Sequence, residues 1–154
     1  MSPSTSAERK VVADTVTTYQ NLISGKWQPA ADGRTVDMVS PSDGRVFAKI
    51  ARGTKADVDA AVRAARHAFE EGAWGTMTAV ERGRLMTKLG DAILANHEEL
   101  SQLEARDCGK PMKQAAAEDA CVTPLRIAQL AQEVGFPPGA LNVVTGIGEE
   151  AGAA

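Results

Sequence analysis

An α/β fold is what this sequence predicts, and three observations predict it. Short β-rich runs crowd the stretch from Tyr19 to Ala51. Apolar stripes at helical spacing, opened by cap signals, fill the stretch from Thr54 to Val134. A final apolar run, Leu141–Thr145, follows the last helix signal. Its near-continuous apolar character is that of a strand covered on both faces.

The amino-terminal elements read as β-hairpins. Tyr19–Ser24 and Lys26–Gln28 flank Gly25 as a short hairpin. Thr35–Val39 and Arg45–Ala51 are two further runs, and Ser40-Pro41-Ser42-Asp43-Gly44 between them has turn chemistry. Proline presets φ there, and the Asp-Gly pair accepts left-handed geometry.

Helices follow. Thr54 reads as an N-cap, with Asp57 in the first turn where its charge suits the helix dipole. Val58, Val62, Ala65 and Phe69 come at steps of four, three and four, which predicts one inward apolar face, and Gly72 stops that helix. Thr78 and Glu81 form a capping box. Leu85, Leu89 and Ile93 carry the apolar face behind it. A helical segment around Glu98–Asp107 ends at Gly109, before Pro111. Thr123-Pro124 opens another helix, since proline is tolerated at the first helical position. Leu125, Ala128, Ala131 and Val134 form its inner stripe, and Gly135 ends it. That helix is a plausible crossover into Leu141–Thr145, yet a strand to precede it is missing, replaced by the helix-like Lys113–Ala120. An unpartnered strand of this kind either pairs with the amino-terminal runs or promotes association.

Composition excludes some classes. With 154 residues, 44% apolar and 24% charged, the chain is ordinary for one globular domain. A compact fold of this size buries roughly 70% of its unfolded surface. A net charge of −3 makes no case for a nucleic-acid partner. No stretch approaches the roughly 20 apolar residues that cross a bilayer, and the first twenty residues lack the apolar run of a signal peptide. A cytoplasmic protein is expected, with residues 1–18 as a flexible segment and 19–154 as one domain. Cys108 and Cys121 match no zinc spacing and are expected as free thiols.

The order of motifs is more specific than any one of them. N-L-I-S-G-K-W, S-P-S-D-G-R-V and L-E-A-R-D-C-G-K-P occur in that sequence between Asn21 and Gln114. This order resembles the amino-terminal part of the NAD(P)-dependent aldehyde dehydrogenases. From Ala117 onward, A-E-D-A-C-V-T-P-L-R-I-A-Q-L-A and G-F-P-P-G-A-L-N-V-V-T-G resemble a later part of the same family. The intervening block is missing, which puts a junction near 115–117. The resemblance implies a truncated, partial Rossmann-like cofactor domain, with NAD or NADP as cofactor. Complete members oxidise an aldehyde to an acid, using a cysteine nucleophile, a glutamate base and an oxyanion-stabilising asparagine. Neither the F-x-x-x-G-Q-x-C nor the P-W-N-[FY]-P segment occurs in these residues. The expectation is a chain inactive in isolation. It then either associates with full-length subunits or with itself, or is a remnant.

The resemblance also marks individual positions. Glu118 falls where the family's K-P-[AS]-E glutamate accepts hydrogen bonds from the adenosine ribose, although Ala115 and Ala116 replace the lysine and proline. A solvated residue near a helix start is the competing reading. Gly148, in T-G-I-G-E-E-A-G, matches a turn lining the adenine end of the cofactor cleft. The spacing is G-x-G-x-x-x-G, and Glu149 and Glu150 sit where a pyrophosphate would be repelled, so an ordinary strand-to-helix turn competes. Val39, Asp107 and Asp119 match positions that bind a structural monovalent cation in many members, with surface or capping roles as the alternative. Cys108 occupies the variable position of R-D-x-G-K-P and is not the catalytic choice, and His67 is expected to face solvent.

Overall fold

The computed structural model describes residues 16–109 and 122–152. Strands β1 (Thr17–Tyr19), β2 (Asn21–Ile23), β3 (Lys26–Gln28), β4 (Thr35–Val39) and β5 (Val46–Ala51) come first. Helices α1 (Lys55–Glu70), α2 (Ala73–Thr76), α3 (Ala79–Ala95), α4 (His97–Cys108), α5 (Thr123–Glu133) and α6 (Gly148–Ala151) follow. The α/β expectation holds, with the hairpins ahead of the helices.

Strand β5 lies at the centre of a three-stranded sheet, parallel to β1 and antiparallel to β4. Strands β2 and β3 form a separate hairpin whose two turn residues, Ser24 and Gly25, have φ of 52° and 74°. Left-handed geometry at both central positions is what a two-residue hairpin needs to match the strand twist. A side chain on Gly25 would also meet Pro138 at 3.0 Å, so glycine serves both the turn and the packing. Strand β1 starts at Thr17, two residues inside the segment expected to be flexible, because Thr17 and Thr18 pair with Ala48 and Lys49.

Phe47, Ala48 and Ile50 of β5 meet Val122 at the head of α5 and Leu125 within it. Tyr19, Trp27, Val36, Met38, Leu103 and Val143 close around that core. Most of the predicted stripe of α5 is buried as expected: Leu125, Ala128 and Ala131 have almost no exposure, while Val134, at the helix end, is only partly buried. Polar links fasten its far end, where the Trp27 indole donates to Gln132 Oε1 at 2.8 Å and Gln132 Nε2 donates to the Gly25 carbonyl at 2.8 Å.

Two expectations need correction. The stripe predicted for α1 does not face the core: Val62 is 57% exposed and Phe69 69%. The inward face is instead Asp57, Ala61, Ala64 and Ala68. The cause is a close backbone approach. A Cβ on Gly139 would lie 2.7 Å from the Ala64 carbonyl oxygen and 3.0 Å from the Ala68 Cβ, so only a face of small side chains lets this loop sit there. Asp57 is drawn in by hydrogen bonds, accepting from the backbone N–H of Thr54 at 2.8 Å and of Ala31 at 3.0 Å.

The second correction concerns Leu141–Thr145, which forms no regular strand and is only partly buried. It runs extended against β2, with a single antiparallel bridge in which Leu22 and Val143 exchange both backbone hydrogen bonds at 2.9 and 2.8 Å. Pairing with the amino-terminal β region is the option it takes. Elsewhere the cap signals were sound. Thr78 and Glu81 exchange the two bonds of a capping box at 2.7 and 3.2 Å, and Gly109 closes α4 at φ 67°.

Candidate functional site

Three chain segments converge at the turn that follows residue 145. Thr145 hands its backbone N–H to Asn21 Oδ1 at 3.1 Å and its hydroxyl to the Ala51 carbonyl at 2.7 Å. Gly53 N–H donates to the Thr145 carbonyl at 2.7 Å. Here two glycines are required by contact. A Cβ on Gly53 would fall 2.5 Å from the Thr145 oxygen, and one on Gly146 would fall 3.0 Å from the Gly53 oxygen. Asn21 is fully buried at this junction, and among the described residues its Nδ2 has no hydrogen-bond partner.

Gly148 opens α6 just beyond this junction. It is exposed, and nothing lies within 4 Å of where its Cβ would be. The turn is therefore held rigidly on its inner side and open on its outer side. One of the two acids expected to repel a pyrophosphate is occupied. Glu150 accepts a two-pronged contact from Arg52, Nε at 2.9 Å and Nη2 at 2.5 Å, with Arg34 at 3.8 Å. The hydrogen bond from Arg52 holds the Glu150 carboxyl below its ordinary pKa, and the same bond raises that of Arg52. Chemically, the turn offers backbone, space and a balanced ion pair.

Glu118 and Asp119, like Cys121, lie outside the described residues. Val39 ends β4 beside an irregularity in the register and is half exposed. The Asp107 carboxylate caps the start of α5, accepting from Val122 N–H at 3.0 Å. The exits of β4 and α4 are neighbours, since Gly109 abuts Pro41. Among the described residues, no group of three His, Cys, Asp or Glu side chains is arranged to hold a metal ion.

One buried polar group was not foreseen. Glu104 is 2% exposed and accepts from Thr123 Oγ1 at 2.9 Å and from Cys108 Sγ at 3.5 Å. The four-residue step from Glu104 to Cys108 is the only sequence signal, and by itself it cannot show that the carboxylate turns inward. The thiol of Cys108 is thus tied to a carboxylate within α4. His67 faces solvent on α1 beside Glu71.

The fold and this turn define a segment of an α/β domain. The sequence model described as the aldehyde dehydrogenase family matches residues 27–120 and 116–154. The chain belongs to the aldehyde dehydrogenase family. It is 50% identical over 91 residues to mitochondrial 10-formyltetrahydrofolate dehydrogenase of Homo sapiens, which is 59% of this chain and 10% of that protein. It is 48% identical over 89 residues to aldehyde dehydrogenase family 2 member C4 of Arabidopsis thaliana, covering 58% of this chain and 18% of that one. Among solved structures, an NAD-dependent aldehyde dehydrogenase from Sinorhizobium meliloti superposes with a TM-score of 0.82 at 30% identity, over 88% of this chain and 42% of that chain. The NAD+ complex of a Bacillus cereus aldehyde dehydrogenase gives 0.83 at 28% identity, over 88% and 43%. The chain thus spans a tenth to a fifth of the curated relatives' length and under half of the solved chains. Among the described residues, no helix is long and apolar enough to cross a membrane.

Proposed function

We propose that this chain is a shortened aldehyde dehydrogenase cofactor-side unit that does not oxidise aldehydes by itself. The observation that carries the reading is chemical: the 154 residues contain no F-x-x-x-G-Q-x-C and no P-W-N-[FY]-P segment. Oxidation by the family's route needs a thiolate that attacks the carbonyl and a donor that stabilises the resulting oxyanion. A family match in two stretches that meet at 116–120 supports an internal junction near 115–117. A cytoplasmic location belongs to the same proposal.

Contact with NAD or NADP is confined, in this reading, to the adenosine end. Gly148 would let a flat base approach the open side of the turn, and Glu118 would accept from the ribose hydroxyls. A backbone platform with one carboxylate gives weak affinity. If the dissociation constant exceeds about 1 mM, then 1 mM NAD stabilises the fold by less than about 0.4 kcal/mol. Thermal unfolding followed by circular dichroism, with and without NAD, measures this. The expected rise in Tm is under about 2 °C. A rise of many degrees, removed by Glu118→Ala, would instead make the chain a genuine NAD-binding module.

Val39, Asp107 and Asp119 as a monovalent-cation site form a subsidiary proposal. It rests on the nearness of the β4 and α4 exits, and exchanging potassium for a bulky organic cation should lower Tm if the site operates. Association is the second functional reading. It is favoured by the exposed apolar face of α1, with full-length family subunits or a second copy as partner.

A further inference from the structure

We infer that the exposed face of α1 is the seam on which a second copy of this chain docks, with the two α1 helices antiparallel about a two-fold axis. This deepens the association reading and stands independently of any cofactor affinity. Val58, Val62, Ala65 and Phe69 form a continuous apolar stripe along the helix, with Val62 57% and Phe69 69% exposed. Exposed stripes of this kind mark interaction faces.

What commits the face to a second copy is its self-complementarity. An antiparallel pairing centred between Arg63 and Ala64 sets Val58 opposite Phe69 of the second copy and Val62 opposite its Ala65. A two-fold interface repeats each contact. Asp59 and Arg66 flank the stripe on one side, and the same operation sets Asp59 across from Arg66 of the second copy, twice. A parallel pairing would set Arg66 beside Ala61 and gain no ion pair. The present partners of these charges are Lys55 at 2.9 Å and Glu70 at 3.0 Å, each four residues away along the exposed helix. Such surface pairs are worth little and can exchange. On the other flank, Val58 and Val62 border a shallow, open depression shared with Leu141 and Val144.

The helix has 16 residues, a length of about 24 Å. Four seam residues per copy give less than the roughly 800 Å² per partner of a standard interface, so association in the micromolar range is expected. Sedimentation velocity without NAD tests it. The wild-type apparent mass should rise with concentration from 16.2 kDa toward twice that value. Phe69→Asp should stay monomeric with an unchanged circular dichroism spectrum. Asp59→Arg and Arg66→Asp should each weaken the dimer about tenfold. Mixed in equal amounts, these two variants should recover it, because every facing pair is then of opposite charge. Monomer at every concentration would overturn the proposal, as would a dimer indifferent to Phe69→Asp. Failure of the mixture to recover, or capture of a full-length family subunit in place of a second copy, would do the same.

Discussion

Helices α1 and α5 have equally regular apolar stripes in the sequence, yet only α5 buries its stripe. Leu125 and Ala128 are fully buried, Leu125 against Phe47, Ala48 and Ile50 of β5, whereas Val62 and Phe69 stand more than half exposed. The two helices differ in what is beside them. Helix α5 packs among α3, α4 and β2, with large side chains such as Phe47, Ile50 and Leu103 around its head. Helix α1 meets the Gly139 backbone so closely that a Cβ on Gly139 would lie 2.7 Å from the Ala64 carbonyl oxygen and 3.0 Å from the Ala68 Cβ. Periodicity identifies a helix and its apolar side, and the neighbouring surface decides which side is covered.

The comparison can be broken at several points. Leu125→Ala should cost about 2–5 kcal/mol in chemical denaturation, the range for removing a buried leucine. At monomeric concentrations, Val62→Ala or Phe69→Ala should change stability by less than about 0.5 kcal/mol, as surface substitutions do. Equal losses in the two helices would mean that α1 is covered in solution. Asp57→Ala should come next, at about 2 kcal/mol, because it strands the N–H groups of Thr54 and Ala31 along with the Thr54 hydroxyl. Thr78→Ala removes a solvent-facing cap and should cost about 1 kcal/mol.

The smallest effect concerns pH. The Glu150 carboxyl is lowered in the folded state by its hydrogen bond from Arg52. A depressed carboxyl contributes stability above its unfolded value and loses it as pH falls through the folded one. Acidification from neutral pH through the glutamate range should therefore loosen α6 in the wild type. In Glu150→Gln that part of the pH dependence should vanish. Identical acid profiles of Tm for the two proteins would mean that Arg52 does not tether this turn.

Much of the fold was legible because its signals are local. The Thr78–Glu81 box, the proline at the head of α5 and the glycine at the end of α4 each act within a few residues. The exposed face of α1 was not legible, since a loop more than sixty residues downstream selects it. Leu141–Thr145 misled for a related reason: apolar content predicts burial between two neighbours, and here the chain supplies one bridge to β2. At the site, the glycines mark a turn that opens a helix at Gly148, its cofactor role resting on the family resemblance alone, while the Arg52 contact to Glu150 spans 98 residues and leaves no sequence pattern.

Aldehyde-dependent NADH formation by the purified chain, across a panel of aliphatic and aromatic aldehydes, tests the central claim most directly. With neither family nucleophile nor oxyanion asparagine segment in these residues, the rate should equal the protein-free blank. Turnover that scales with chain concentration and survives further purification would contradict it.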